Sequence, residues 1–289
     1  MTDPRAVGRL VDWLPRRRRE VDDLLASRLA VPSVDDDPGR LVESMRYSLL
    51  APGKRLRPIL AMAAADAAGI PEHGADVDAH VRIAAASVEL IHCYSLIHDD
   101  LPAMDDDDFR RGKPSNHRVF GEATAILAGD ALLTLAFEWL AEAGQSSGRP
   151  ADFGRAALAL ARGAGMAGMV RGQARDLGED APSEVGELER LHGEKTAALF
   201  RAAVEVGGAA AGANADDIAT LGVFGYRYGI AFQHADDLDD GDHPTHAAAA
   251  RTRLRDLVRE AISGLANLDA RCDIHLLQEL AEGLLPPAG

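Results

Sequence analysis

The sequence predicts an all-α fold, and three observations lead there. Apolar residues recur at helical spacing along the chain, and no stretch alternates convincingly at the two-residue period of a strand. Alanine carries much of the apolar content, as in the runs 61–68 and 247–250. Aromatic residues make up only 4% of the chain. Small unbranched side chains favour closely packed helices, whereas strands draw on β-branched and aromatic ones.

In chain order, turn-forming clusters punctuate the helices at residues 32–39, 69–78, 144–151, 178–186, 214–216 and 241–245. The segments between them are mostly long, as expected of antiparallel helices joined by short loops. No break is long or polar enough for an interdomain linker, and no period repeats at solenoid spacing. Residues 1–289 are therefore expected to form one domain. Two segments are apolar nearly all round. The first, 81–97, is interrupted by little beyond Arg82, Glu89 and His92, and the second, 218–232, carries Gly222, Gly225 and Gly229 on one stripe. Helices of this kind lie inside a bundle, and a glycine stripe lets a neighbouring backbone come close.

Of the 289 residues, 47% are hydrophobic and 27% charged, which supplies a sizeable core and excludes whole-chain disorder. There are 31 basic and 46 acidic residues, a formal charge of −15, so no nucleic acid and no anionic membrane is expected as the main partner. Cys93 and Cys272 make neither a disulfide framework nor a zinc pattern, which suits a reducing compartment. No apolar stretch reaches membrane-spanning length without charge or glycine, and the first nine residues lack a signal-peptide core. The chain reads as soluble and cytoplasmic, without stable membrane insertion.

Both buried helices run into clustered aspartates. The first cluster is His98-Asp99-Asp100-Leu101-Pro102-Ala103-Met104-Asp105-Asp106-Asp107-Asp108, and the second is Gln233-His234-Ala235-Asp236-Asp237-Leu238-Asp239-Asp240. Asp236 and Asp240 project within about 40° of each other on a helix, with Gln233 one turn earlier on the same stripe. Like charges at that spacing repel, and a divalent cation removes the cost. Carboxylate oxygens are the hard ligands that Mg²⁺ takes together with phosphate oxygens. Asp99 and Asp105 sit about 240° apart on an ideal helix. They can share a face only if the helix is interrupted, and Pro102 between them predicts a break. Cations lie elsewhere in the chain: Gly53-Lys54-Arg55-Leu56-Arg57-Pro58, Arg110-Arg111, and Lys195-Thr196 at the start of another apolar run. Carboxylate-held metal facing basic side chains across a cavity is an arrangement for a diphosphate.

On these motifs, together with 120–133 and Gly172-Gln173-Ala174-Arg175-Asp176-Leu177, the chain resembles the trans-isoprenyl diphosphate synthases of the polyprenyl synthetase family. It looks nearest to the bacterial short-chain farnesyl and geranylgeranyl diphosphate synthases. The resemblance implies an all-α bundle around a deep central cavity, a homodimer, and Mg²⁺-dependent transfer of an allylic group to isopentenyl diphosphate. It further implies that Asp99, Asp100, Asp105, Asp236, Asp237 and Asp240 hold the metals. Arg110, Lys195 and Gln233 would meet the allylic diphosphate, with Thr196 a partner of the ionising substrate. Lys54, Arg57, His92 and Arg111 would hold isopentenyl diphosphate. His92 and Asp99 are two helical turns apart and share a face, which supports that placement independently. Tyr94, with Ser95 beside it and the insertion 101–104, marks the short-chain type, the ring acting as a floor for the growing chain. Tyr94 itself is about 140° round the helix from Asp99.

The chain also departs from the family. No lysine follows Lys195, so the glycine–lysine loop expected after the second cluster is missing. Arg251, Arg253, Arg255, His243 and His246 are candidate replacements. Two other readings share the fold. A class I terpene cyclase would want an aromatic cavity for cation–π contacts and normally lacks the second aspartate motif. A non-catalytic partner subunit would be expected to lose metal ligands, whereas both clusters are present here.

Overall fold

The computed structural model describes residues 9–30, 37–68, 75–178, 185–240, 247–268 and 273–286. Helices dominate, as the periodicity predicts. In order they are α1 (Arg9–Arg28), α2 (Leu41–Leu49), α3 (Leu56–Ala67), α4 (Ala75–Asp99), α5 (Asn116–Phe120), α6 (Glu122–Ser146) and α7 (Pro150–Ala164). There follow α8 (Met169–Gly178), α9 (Val185–His192), α10 (Ala198–Ala210), α11 (Ala215–Asp240), α12 (Ala247–Gly264) and α13 (His275–Glu282). A π-helical turn, Gly193–Ala197, joins α9 to α10. Among the described residues strand is confined to one hairpin, β1 (Phe109–Arg110) paired antiparallel with β2 (Lys113–Pro114). Alternation could not have revealed two-residue strands. They follow from the turn between them, where Arg111 (φ 53°) and Gly112 (φ 75°) both take the left-handed conformation that twists a tight hairpin correctly.

The two apolar segments are α4 and α11. Helix α4 packs on α6 and α3, while α10 packs on α3, α7 and α11. The glycine stripe of α11 is where α10 lies against it. A Cβ added at Gly229 would stand 2.5 Å from the Ala197 Cα, and one at Gly225 would stand 2.8 Å from the Phe200 carbonyl oxygen. Small residues therefore set this helix–helix distance.

Helix α6 is the one helix among the described residues long and apolar enough to cross a membrane. It packs instead against α4, α2 and α7, burying Ala125, Ala128, Leu132, Ala136, Trp139 and Leu140. Its other face leaves Ile126 (44%) and Leu127 (57%) exposed.

The loop before α3 is anchored from inside. Arg55, at φ 51°, turns its side chain into the core. It donates to Asp22 Oδ1 (2.8 Å), Glu89 Oε1 (2.9 Å), and the carbonyls of Leu49 (2.9 Å) and Ala51 (3.0 Å). Of the three cations in this motif, Arg55 is thus structural. On either side of it, Arg57 lines a cavity, whereas Lys54 is exposed.

Candidate active site

A cavity of about 370 Å³ opens between α4, α8 and the π-helical turn. Arg57, His92, Tyr94, Ser95, Asp99, Met104, Gln173, Lys195 and Thr196 are among its lining residues. The break predicted at Pro102 is present: α4 ends at Asp99, and the chain folds back so that Asp105 N donates to the Asp99 carbonyl at 2.8 Å. That return brings Asp105 beside Asp99, which the helical angle forbade. Burial raises the Asp99 carboxyl to about 6; Lys195 opposes the rise, and Asp105 and Asp100 add to it. Gln173 Nε2 donates to Asp105 Oδ1 at 3.2 Å, while Gln173 Oε1 is buried without a hydrogen-bond partner. Repelling carboxylates and an orphaned amide oxygen form a hard-oxygen donor set, which fits a divalent cation such as Mg²⁺.

Asp100 is placed differently. It is 2% exposed, and its Oδ1 accepts from Arg110 Nε at 2.7 Å, with Arg110 Nη2 at 2.5 Å. Arg110 also reaches Asp107 at 2.8 Å. Neither Asp100 nor Arg110 lines the cavity that holds Asp99; each occupies the other. Their pairing clamps the chain leaving the first cluster and so holds the Asp105 turn in place.

Arg57 and His92 make the cationic wall of this cavity, and Arg111 stands behind them, lining a separate pocket with Asp100 and Arg110. Arg57 stacks its guanidinium on the Phe200 ring (4.4 Å), and the Lys54 ammonium lies 5.7 Å from the Phe232 ring centroid. Gly53 makes room for Arg111: a Cβ there would be 2.9 Å from Arg111 Nη1. Burial brings Arg57 down to about 10; Glu89 works against the fall, and Arg111 deepens it. His92 is driven well below its ordinary value, first by burial and then by Arg57 and Arg111. The imidazole is neutral there. Arg57 Nε is buried without a hydrogen-bond partner. Cations that repel one another, with an unused buried donor among them, favour an anion.

Thr196 and Gln233 connect this cavity to the second cluster. Thr196 Oγ1 donates to Gln233 Oε1 (3.1 Å), and Gln233 Nε2 donates to Asp237 Oδ1 (2.8 Å). Asp236 is half-buried on α11, and the Asp240 side chain lies outside the described residues. Lys195 pairs with Asp176 at 2.5 Å. Its backbone is approached so closely by Gly172 that any Cβ at 172 would collide with it. The π-helical turn at 193–197 lets the adjacent Lys195 and Thr196 both line the cavity, a common use of such a bulge at functional sites.

Tyr94 (7% exposed) and Ser95 (9%) both line the cavity, so the 140° offset from Asp99 does not remove the ring from it. The Tyr94 ring stands edge-on to His98 at 5.8 Å, and His98 Nε2 lies 3.0 Å from the Ile126 carbonyl oxygen of α6. Among the candidate replacements for the missing lysine, His243 and His246 lie outside the described residues. Arg253 is committed to Glu189 (2.7 Å), and Arg251 and Arg255 are exposed on α12. Gln173 and Asp176 gained no role from sequence reasoning. Their i, i+3 spacing was the available signal, since it sets both on one face of α8.

The family profile of polyprenyl synthetase matches residues 38–272. The farnesyl diphosphate synthase of Bacillus subtilis is 42% identical over 234 residues, covering 81% of this chain and 76% of that protein. The chloroplastic geranylgeranyl pyrophosphate synthase 12 of Arabidopsis thaliana is 41% identical over 269 residues, or 90% and 72% of the two chains. A solved FPP/GFPP synthase from Zymomonas mobilis superposes with a TM-score of 0.83 at 37% identity, over 96% of this chain and 99% of that one. A cavity with carboxylates at one end and cations along its wall, inside an all-α bundle shared with these proteins, places the chain in the polyprenyl synthetase family.

Proposed function

We propose that this protein is a short-chain prenyl diphosphate synthase, condensing an allylic diphosphate with isopentenyl diphosphate to give farnesyl or geranylgeranyl diphosphate. The observation that carries this reading is one cavity lined by Asp99 and Gln173, with Asp105 bonded to Gln173, on one side and by Arg57 and His92, with Arg111 acting on both, on the other. In the reaction the allylic C–O bond breaks and its electron pair leaves on the diphosphate. The double bond of isopentenyl diphosphate supplies the new C–C bond, and a proton is then lost.

Asp99 and Asp105, with Asp236, Asp237 and Asp240 of the second cluster, would hold Mg²⁺. The ion held there would supply the positive charge that the departing diphosphate requires. Lys195 adds charge to the same leaving group, and Thr196 offers a hydroxyl oriented by Gln233. Lys54, Arg57, His92 and Arg111 bind the second diphosphate. The Arg110–Asp100 pair supports this site from behind. Tyr94, Met104 and Met169 line the space that takes the hydrocarbon chain and excludes water. Among the described residues, Tyr94 is the only Phe, Tyr or Trp lining the cavity, which disfavours terpene cyclisation. Residues 1–289 would form one cytoplasmic domain, and the apolar face of α6 at Ile126 and Leu127 would pair with a second copy in a homodimer.

The test is turnover of the purified chain with isopentenyl diphosphate and dimethylallyl, geranyl or farnesyl diphosphate. Activity should require Mg²⁺, and Asp99→Ala and Asp236→Ala should each lower it by roughly 10²–10³ with helicity intact. Near-normal turnover of either variant at saturating Mg²⁺ would remove the metal assignment. No turnover by the wild-type chain alone would favour the partner-subunit reading.

A further inference from the structure

A second group of ligating side chains lies outside the cavity. His192 closes α9, while His234 and Asp237 stand three residues apart on α11, so two helices converge at this point. One nitrogen of each imidazole and one carboxylate oxygen lie within 4.8 Å of one another. His192 Nε2 is 3.7 Å from Asp237 Oδ2, and the two rings meet edge to face at 5.7 Å. His192 is 8% exposed and His234 2%. Glu189 Oε1 lies 3.4 Å from His234 Nε2, and Arg253 holds both oxygens of that carboxylate, at 2.7 and 3.3 Å. Gln233 takes up Asp237 Oδ1 at 2.8 Å, leaving Oδ2 as the oxygen turned toward His192. Orientation of a ligating carboxylate by a neighbouring amide is the support that metal sites use. A buried histidine beside one carboxylate is ordinary packing. Two imidazoles and a carboxylate converging on one point are not accounted for in that way.

We propose that His192, His234 and Asp237 form a three-ligand site for a borderline divalent metal of the Zn²⁺ or Co²⁺ class, with solvent in the fourth position. Imidazole suits these ions, whereas Mg²⁺ is held by oxygen. Bonds of about 2.0–2.1 Å in a tetrahedron separate the ligand atoms by about 3.3 Å. The His192 and Asp237 atoms already stand 3.7 Å apart. Occupancy draws Asp237 away from the second aspartate cluster, so this metal would act as an inhibitor of diphosphate binding. The site stands whether or not prenyl transfer is the activity.

Metal-stripped full-length protein, in excess Mg²⁺ and without substrate, is titrated with Co²⁺ by visible absorption and with Zn²⁺ by calorimetry. One ion per chain should bind, with affinity falling at least about tenfold in His192→Gln and His234→Gln and staying unchanged in Asp99→Asn. X-ray absorption of the Zn²⁺-loaded wild-type chain should show two imidazole ligands, a readout that needs no variant to fold. Absent uptake, uptake that survives His234→Gln, loss of uptake in Asp99→Asn, or an all-oxygen shell each overturns the proposal.

Discussion

The ion pair behind the cationic wall allows a quantitative test. Arg55 and Glu89 have side chains only 3% and 4% exposed and meet at 2.9 Å. Burial pulls the Arg55 guanidinium down, yet Glu89 and Asp22 outweigh it and the net shift is upward. Glu89→Gln keeps the size and an acceptor but removes the charge. Breaking a buried pair from one side costs about 3–5 kcal/mol. Asp22 still faces Arg55 at 2.8 Å but is 45% exposed, so the loss is expected at the low end, about 3 kcal/mol. With roughly 2 °C per kcal/mol for a chain of this size, Tm should fall by about 6 °C. Glu89 also steadies the charge of Arg57, so the KM for isopentenyl diphosphate should rise more than kcat falls. The assay is chemical denaturation of Glu89→Gln, of Arg55→Met, and of Arg55→Met with Glu89→Leu. The double variant should be less destabilised than the sum of the singles by about 2 kcal/mol or more. Additive behaviour, or a Glu89→Gln cost below about 1 kcal/mol, would refute the assignment of Arg55 as the anchor of this loop.

Two further outcomes are expected. In metal-free protein Asp99 is raised to about 6. A raised acid favours the fold when protonated, so this contribution is full below the ordinary carboxylate value near 4 and is lost as pH rises through about 6. Asp99→Asn should therefore be about 1–3 kcal/mol more stable than wild type near pH 7.5 in chelator, with the gap narrowing as pH falls and closing below about pH 4; a gap independent of pH would contradict it. Tyr94→Ala opens the wall of the cavity and should lengthen the product by at least one five-carbon unit with the first condensation little changed. An unaltered product distribution under excess isopentenyl diphosphate would move the floor to another residue.

The helical class, the two buried helices and the break at Pro102 were legible in the sequence. Each is a local property: a 3.6-residue period, a composition with little β-branched or aromatic content, and a missing backbone donor. The chemistry of the site was legible in residue type, since clustered aspartates and spaced cations have few other uses together. Which member of each pair lines the cavity was decided elsewhere. Asp99 and Asp100 are adjacent and chemically identical, yet only Asp99 lines the cavity, because Arg110 claims Asp100 from ten residues away. Arg55 and Arg57 look interchangeable along the chain. Glu89, 34 residues on, draws Arg55 into the core and leaves Arg57 at the cavity. The Thr196–Gln233 link spans 37 residues, and the convergence of His192 with His234 needs the end of α9 to meet α11. Sequence periodicity fixes angles within one helix and carries nothing about its neighbours. Only packing brings a helix face opposite the charge that selects among its side chains, and so the residue types came from the sequence and their assignments from the tertiary fold.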